Sequence, residues 1–153
     1  MKASCYDKAV DLLARRPHFS AELAAKLARR GYSEEEIIAA LARLREHGYL
    51  DDEATAGDFV SSRRQRSGGT GRRKLEAELA RRGLGGEAIR SALAEITPED
   101  ELAAAREAAA LWRRKTSADL EGEKGRAALA RHLDRKGFSR RAIYAVLDGD
   151  DTP

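Results

Sequence analysis

The chain has 153 residues and a formal net charge of +3 at pH 7, and 36% of its residues are charged. Aromatic residues make up 5% and there are three prolines, in a composition rich in alanine, leucine, arginine and glutamate, which argues against an all-β fold and favours an all-α one. The chain has no run of about 18 apolar residues, no apolar core of a signal peptide and only one cysteine, so we expect a cytoplasmic protein without membrane contact.

The first 50 residues predict three helices. A leading helix covers about 4–16, and Ser20 is the expected N-cap of the second, whose leucines share one helical face. Gly31 fits the left-handed position that ends this second helix. Ser33 followed by Glu36 predicts a capping box at the start of the third helix.

The middle of the chain repeats this plan with one interruption. A leading helix is expected over about 52–66, Gly83 ends the next helix, and Gly85-Gly86 gives the following helix a weaker cap. Between the first two helices, the segment Arg66-Ser67-Gly68-Gly69-Thr70-Gly71-Arg72 predicts a flexible, glycine-rich link. The link lacks the phosphate-loop motif and follows no strand, which excludes nucleotide hydrolysis.

The last third follows the same plan again. Thr97-Pro98 opens a helix over about 99–115, in which Trp112 is expected to anchor the bundle. Thr116 to Gly125 predicts a looser link, and Ser139 caps the final helix. The acidic tail 149–153 is expected to fray.

One pattern therefore recurs three times: a basic residue, a glycine, an apolar residue, then isoleucine five positions later and leucine four after that. Its glycines are 52 and 54 residues apart: Gly31, Gly83 and Gly137. Self-similarity of this period marks tandem units, each a three-helix bundle, which we place at 1–50, 51–97 and 98–148. The apolar residues after the glycines are expected in the core: Tyr32, Leu84 and Phe138. Tandem repeats usually form binding surfaces, so we expect a binding protein and not an enzyme.

Positive charge is concentrated in the middle of the chain. Residues 61–90 hold 9 Lys/Arg against 3 Asp/Glu, whereas residues 1–60 and 91–153 have net charges of −2 and −1. Six basic residues flank the glycine-rich link and form the predicted partner-binding and DNA-binding site, here called the basic cluster: Arg63, Arg64, Arg66, Arg72, Arg73 and Lys74. Such a cluster indicates an acidic partner, either nucleic acid or an acidic protein groove.

The position of these cations favours a functional role. Three of them begin a helix, where the positive end of the helix dipole opposes a cation. Arg29-Arg30 and Arg81-Arg82 instead lie at helix C-termini, where cations are stabilising, so their positions need no further explanation.

No set of residues predicts catalysis or metal binding, and no cofactor is expected. His18, His47 and His132 lack the spacing of metal ligands, and no cysteine or carboxylate set completes a site. Cys5 is expected in a mobile N-terminal turn without a paired base.

Two segments near the middle of the chain are distinctive. One is His47-Gly48-Tyr49-Leu50-Asp51-Asp52-Glu53, followed by Phe59-Val60 and Arg63, and the other is Gly71-x-x-Lys74-Leu75-x-x-Glu78-Leu79-x-x-Arg82-Gly83-Leu84. Together they resemble the RecX family of bacterial recombination regulators, over about residues 5–148. Thr55 departs from the family pattern, which usually has an aromatic residue there, and this weakens the apolar face of its helix unless Phe59 and Val60 compensate.

The resemblance implies three tandem three-helix units in an elongated, curved array. It also implies binding to the RecA recombinase filament on single-stranded DNA, in the helical groove of the filament, with restraint of its recombinase, ATPase and co-protease activities. Nothing in the sequence suggests an obligate dimer, so a monomer is expected.

Other readings stay open. Segment 12–52 has the helix order of a helix-turn-helix protein that acts directly on DNA, but its recognition helix would begin Glu34-Glu35-Glu36, which phosphates repel. Weak, sequence-independent DNA contact through the basic cluster is expected beside any partner binding. A structural helical adaptor is the third reading.

Overall fold

A computed structural model describes residues 2–116 and 122–149, and in these ranges the chain forms nine α-helices and no strand. The helices are α1 (Cys5–Arg15), α2 (Ser20–Arg29), α3 (Glu34–Glu46), α4 (Asp52–Gln65), α5 (Arg72–Arg81), α6 (Gly86–Leu93), α7 (Pro98–Lys115), α8 (Gly122–Arg135) and α9 (Arg140–Asp148). They follow one another as three sets of three. The predicted all-α fold of tandem three-helix units is confirmed.

Helix α3 begins with the predicted capping box. The Ser33 hydroxyl accepts a hydrogen bond from the Glu36 N–H at 3.2 Å, and the Ser33 N–H donates to the Glu36 carboxylate at 2.7 Å. Thr97 and Asp100 form the same arrangement at the start of α7. Each box satisfies two backbone groups that a helix start otherwise leaves without partners.

Helix α2 begins differently from the prediction. Ser20 is its first helical residue and not its N-cap, and the preceding Phe19 provides no side-chain cap. Asp52 supplies the cap from 32 positions away, because its Oδ1 accepts hydrogen bonds from the Ser20 N–H at 2.8 Å and from the Ser20 hydroxyl at 3.1 Å. A carboxylate at a helix N-terminus also complements the dipole.

The repeated glycines end α2, α5 and α8 in the predicted left-handed conformation. Gly31, Gly83 and Gly137 have φ of 80°, 88° and 83°. The N–H of the apolar residue after each glycine donates a hydrogen bond to the carbonyl of a leucine five positions earlier, as that of Tyr32 does to Leu27 at 3.3 Å. Tyr32, Leu84 and Phe138 are all buried, so the predicted core role of this position is confirmed.

The chain divides into two compact units by contacts in space, and the first is Met1–Asp58 with Leu79–Ile89. Its core lies where α1, α2 and α3 meet. Leu23, Leu27 and Leu44 are fully buried there. Cys5 is buried beside them at the start of α1, capped by Ser4, so its predicted place in a mobile turn is wrong.

The second unit is Phe59–Glu78 with Arg90–Pro153. Its core lies between α7, α8 and α9, where Phe138 and Leu133 are fully buried against a face of small alanines on α7. Trp112 packs on this core and stacks on His132 with ring centroids 5.8 Å apart, in agreement with its expected anchoring role.

Helix α4 keeps an apolar face despite Thr55. Ala56 and Val60 are buried one turn apart, and Phe59 is half-buried. Thr55 turns its hydroxyl to the Asp51 carbonyl at 2.8 Å. Val60 and the half-buried Phe59 therefore supply the bulk of this face.

Part of the predicted link at Thr116 to Gly125 is helical, because α8 begins at Gly122, while residues 117–121 lie outside the described ranges. The predicted tail 149–153 also lies outside them except for Gly149. The predicted unit boundaries at 50 and 97 stay a prediction. No helix in the described part of the chain is both long and apolar enough to cross a membrane.

Candidate functional site

The basic cluster lies on both sides of the glycine-rich link, within the second unit. Arg63 and Arg64 are in the last turn of α4, Arg66 follows it, and Arg72, Arg73 and Lys74 form the first turn of α5. The link folds back on itself, since the Gly69 N–H donates to the Arg66 carbonyl at 2.8 Å. Gly68 and Gly69 both have positive φ, at 78° and 57°.

The link is a packed turn and not the flexible segment that the sequence suggests. The Gly71 N–H donates to the Lys136 carbonyl at 2.8 Å, and the Arg73 N–H donates to the Gly137 carbonyl at 3.1 Å. A Cβ at position 71 would collide with the backbone of Gly137 and Phe138. Glycine is therefore required at position 71 for the link to reach the turn between α8 and α9.

Arg72 has a structural partner that the sequence does not reveal. Its Nη1 donates to the Leu93 carbonyl at 3.0 Å and to the Ile96 carbonyl at 3.4 Å, and its Nε donates to Glu76 at 3.3 Å. Leu93 is the last residue of α6. The cation at the unfavourable start of α5 is thus stabilised by the negative end of α6.

Arg73 and Arg63 are also held by the protein. Arg73 Nη2 donates to Asp134 Oδ1 at 2.6 Å and to the Asp134 carbonyl at 3.3 Å, near the C-terminal end of α8. Arg63 lies over the Phe59 ring at 5.0 Å and pairs with Glu78 at 3.4 Å. The buried Glu78 oxygen of this pair accepts no hydrogen bond from the described residues, so the attraction is electrostatic only.

The remaining members of the basic cluster are Arg64, Arg66 and Lys74. All three are exposed, and their side chains make no hydrogen bond or ion pair with any residue in the described ranges. The structure thus divides the cluster into three cations with partners inside the protein, of which Arg73 is also exposed, and three exposed cations without a partner among the described residues. The second group is the part that an acidic partner can bind without displacing an internal contact.

Glu101 holds this region together and was not singled out from the sequence. It is buried on α7 with 9% exposure, and its Oε1 accepts hydrogen bonds from the Arg72 N–H at 3.3 Å and the Ser139 N–H at 3.2 Å. One carboxylate thereby satisfies the first amides of α5 and of the α9 cap. In the sequence it resembles an ordinary acidic residue in a first turn.

Lys136 and Lys115 belong to the same region and were also missed. Lys136 is half-buried, and its Nζ lies 3.1 Å from the place that a Cβ on Gly68 would occupy. Burial lowers the pKa of the Lys136 ammonium, and the charges of Lys74 and Lys115 lower it further. No local signal marks these lysines, because they are separated from the link by 40 to 70 residues of chain.

A second concentration of cations lies in the first unit. An open cavity of about 270 Å³ is lined by nine residues, of which five are basic and one is acidic: Arg16, Ala21, Glu22, Ala25, Lys26, Arg29, Arg81, Arg82 and Gly83. Glu22 pairs with both Arg82 and Arg16. Burial acts to raise the pKa of Glu22, but these guanidinium groups outweigh it and hold the pKa below its ordinary value.

The described residues offer no arrangement for metal chemistry and no activated thiol. Within residues 2–116 and 122–149, no group of three or more His, Cys, Asp or Glu side chains is placed to hold a metal ion. Burial raises the pKa of the Cys5 thiol, which keeps it protonated and unreactive at neutral pH.

Family models match the chain in two places. The first three-helix domain of RecX matches residues 5–44, and the second three-helix domain of RecX matches residues 51–93. The regulatory protein RecX of Pseudomonas tolaasii is 40% identical over 146 residues, which is 94% of this chain and 89% of the relative. The regulatory protein RecX of Vibrio vulnificus strain CMCP6 is 35% identical over 147 residues, which is 95% of this chain and 92% of the relative.

Solved structures show the same likeness. A crystal structure of regulatory protein RecX superimposes with a TM-score of 0.80 at 25% identity, covering 94% of this chain and 71% of that one. The crystal structure of RecX from Lactobacillus salivarius superimposes with a TM-score of 0.76 at 19% identity, covering 96% and 94%, and supports the fold. These relatives carry the name of a regulatory protein and not of an enzyme.

Proposed function

The chain belongs to the RecX family, and we propose that it regulates the RecA recombinase by binding the RecA filament on single-stranded DNA. In this proposal the protein lies along the helical groove of the filament and mostly restrains its recombinase, ATPase and co-protease activities. The observation that carries the proposal is 40% identity to a regulatory protein RecX over 94% of this chain.

The exposed cations support binding to such a filament. Arg64, Arg66 and Lys74 lie near one packed turn and form no ion pair with a carboxylate of the described residues. A filament on DNA presents phosphates in series, and clustered cations gain affinity for a polyanion by releasing its counterions. The same charges also support weak, sequence-independent contact with bare DNA.

The proposed mechanism is binding and not turnover. A bound regulator shifts the filament towards the state for which it has the higher affinity, and that state would be unable to exchange strands or to grow. The relatives are named as regulatory proteins, which supports this assignment. The proposal also carries the expected cytoplasmic location, because it places the protein on a bacterial recombinase filament.

Direct, sequence-specific DNA recognition by α3 is not favoured. The helix begins with Glu34, Glu35 and Glu36, and all three are exposed. Three carboxylates at the end that would enter the major groove repel the phosphates on either side. This electrostatic penalty applies to any DNA sequence.

The experiment that tests the proposal measures RecA ATP hydrolysis on single-stranded DNA and RecA strand exchange, with this protein added below one molecule per RecA. We expect both rates to fall, because a bound regulator affects neighbouring subunits of the filament. Unchanged rates at a ratio of one to one would reject the proposal.

A further inference from the structure

The repeat pattern places the same contact in both units and makes the two copies comparable. The glycine that ends α5, Gly83, approaches the start of α2, where a Cβ at 83 would lie 2.6 Å from the Ala21 Cβ. The glycine that ends α8, Gly137, approaches the start of α5 in the same way, where a Cβ would collide with Lys74. We call these contacts the first and the second junction.

In the first junction, the basic residue has a carboxylate partner. Arg82, the basic residue before the glycine, donates hydrogen bonds to the Glu22 carboxylate from Nε and from Nη2, the second at 3.4 Å. The Glu22 side chain is only 15% exposed. A cation and a carboxylate in a partly buried contact offset each other's loss of solvation.

The second junction has the same geometry with the carboxylate replaced by a cation. The repeat offsets make Lys136 the counterpart of Arg82 and Lys74 the counterpart of Glu22. The contact that holds an ion pair in the first unit therefore has lysine at both equivalent positions in the second, where Gly137, next to Lys136, packs on Lys74. Like charges at close range disfavour the charged form of each other, and burial adds to the penalty.

Lys115, at the end of α7, adds a third cation. Both Lys74 and Lys115 are close enough to Lys136 to lower its pKa, after burial as the largest cause. The Lys136 side chain makes no hydrogen bond or ion pair within residues 2–116 and 122–149. The described fold thus holds three lysines near one another without the carboxylate that the equivalent junction supplies.

The glycines of the link let it pack closely against Lys136. A Cβ at position 68 would lie 3.1 Å from the Lys136 ammonium and 3.3 Å from Leu111, tighter than ordinary van der Waals contact, and Gly68 is buried. Lys74 and Lys115 are both exposed, so a ligand can reach the group through these two side chains. Lysine ammonium groups are compact point charges that suit the oxygens of phosphate groups.

We propose that Lys74, Lys115 and Lys136 form an anion site that binds backbone phosphates of single-stranded DNA. This inference rests on the proposed function, because a RecA filament presents such a strand. Phosphate is favoured over a protein carboxylate because a DNA backbone carries a negative charge on every nucleotide, which matches several adjacent cations, including the exposed Arg64 and Arg66.

The test uses Lys74→Glu in the full chain, because this substitution recreates the charge arrangement of the first junction. We expect two opposite effects. The thermal midpoint should rise, since Lys136 gains a carboxylate partner, and the affinity for a labelled oligothymidylate should fall. The plot of log affinity against log salt should become shallower by about 0.7 for each phosphate that the variant no longer neutralises.

Lys124→Glu is the matched control, because Lys124 is an exposed residue of α8 outside the site and the substitution changes the net charge equally. Lys136→Gln is the second variant, which removes one ammonium without adding a negative charge. Both site variants should lose affinity for the oligothymidylate, while Lys124→Glu should retain it. Equal losses in Lys74→Glu and Lys124→Glu would overturn the site, since they would reflect net charge only.

Polyglutamate serves as the competing ligand. Loss of polyglutamate binding with unchanged oligothymidylate binding in Lys74→Glu would also overturn the proposal and indicate an acidic protein segment instead. The assay of RecA inhibition with the unmodified protein tests the proposed function independently of the anion site. If the unmodified protein inhibits RecA but its Lys74→Glu variant binds the oligothymidylate normally, the proposed function stands and the anion site is rejected.

Discussion

His18 shows how a single buried residue links the fold to pH. Its ring is 2% exposed, its Nδ1 lies 2.9 Å from the Arg16 carbonyl and its Nε2 lies 2.7 Å from the Lys26 ammonium. These contacts assign a neutral imidazole that donates from Nδ1 and accepts at Nε2. Burial lowers the pKa of His18, and the charges of Arg16 and Lys26 contribute, although the Arg16 carbonyl and Glu22 act in the opposite direction.

We predict that this histidine makes the protein sensitive to mild acid. Since the pKa of His18 is lower in the folded state, the unfolded chain takes up the proton first as the pH falls. The stabilisation that neutral His18 provides is complete above the pKa of histidine in the unfolded chain, about 6.5. It is lost as the pH falls towards the pKa of His18 in the folded protein. The free energy of unfolding should decrease with falling pH by up to about 1.4 kcal/mol per pH unit because of His18, and His18→Gln should remove this contribution. Urea unfolding between pH 7 and pH 5 measures the slope.

Asp100→Asn is the matched control for this prediction, because Asp100 is not among the groups that shift the pKa of His18 and its own pKa is lowered from 3.8. Its carboxylate titrates below the pH range of the measurement. The control should therefore keep the slope of the unmodified protein between pH 7 and pH 5. An unchanged slope in His18→Gln would show that His18 does not titrate on unfolding.

At the scale of helices and turns, equivalent glycines serve two different needs. Gly31 has φ of 80° and only the flexible Lys2 ammonium near its missing side chain, at 3.6 Å. Gly137 has φ of 83°, and a Cβ there would also collide with the backbone of Lys74. The first glycine is needed for backbone conformation alone, whereas the second is needed for conformation and for close approach.

We predict a difference in cost between the two corresponding alanine variants. Gly31→Ala should lower the free energy of unfolding by about 1–2 kcal/mol, the strain of a left-handed alanine. Gly137→Ala should lower it by about 2–5 kcal/mol, because overpacking against α5 adds about 1–3 kcal/mol. Chemical denaturation of both variants measures the difference, and equal losses would mean that α5 moves aside without cost.

At the scale of the whole molecule, the charge distribution separates structural from accessible cations. The excess of positive charge lies in residues 61–90, at 9 Lys/Arg against 3 Asp/Glu. Arg72 and Arg73 in that segment bind helix-end carbonyls, whereas Arg64 and Arg66 make no hydrogen bond or ion pair with the described residues. Net charge alone therefore overstates the number of cations available to a partner.

We predict that Arg64→Glu with Arg66→Glu weakens inhibition of RecA ATP hydrolysis. The concentration for half-inhibition should rise about tenfold, which corresponds to about 1.4 kcal/mol. The free energy of unfolding should fall by no more than about 1 kcal/mol, because neither side chain forms a hydrogen bond or ion pair in the described residues and a charge reversal in the last turn of α4 costs about 0.3–1 kcal/mol through the helix dipole. The ATPase assay and a urea titration measure the two quantities.

Arg131→Glu with Arg140→Glu is the matched control, since both residues are exposed on α8 and α9 and the net charge changes equally. The control should inhibit as the unmodified protein does. The same loss of inhibition in both double variants would assign the effect to overall charge and remove the basic cluster as the binding site.

Local features of the fold could be predicted from the sequence with good accuracy. The capping box of Ser33 and Glu36, the left-handed glycines and the buried residue after each one depend on neighbours within five positions, and all are confirmed. The cap of α2 could not be predicted, because Asp52 supplies it from 32 positions away. The candidate site itself was predicted as six basic residues, and its use as a binding surface stays a prediction.

The sequence by itself determined the helices, most of their ends and the threefold repeat, because backbone hydrogen bonds and helical periodicity act over one or two turns. Only the tertiary structure decided which cations have partners: Arg72 meets the end of α6 and Arg73 meets Asp134, whereas the charge of Lys74, 62 positions away, lowers the pKa of Lys136. The reason is physical. Electrostatic energy depends on distance in space and on burial, and both are fixed only when distant segments of the chain pack together.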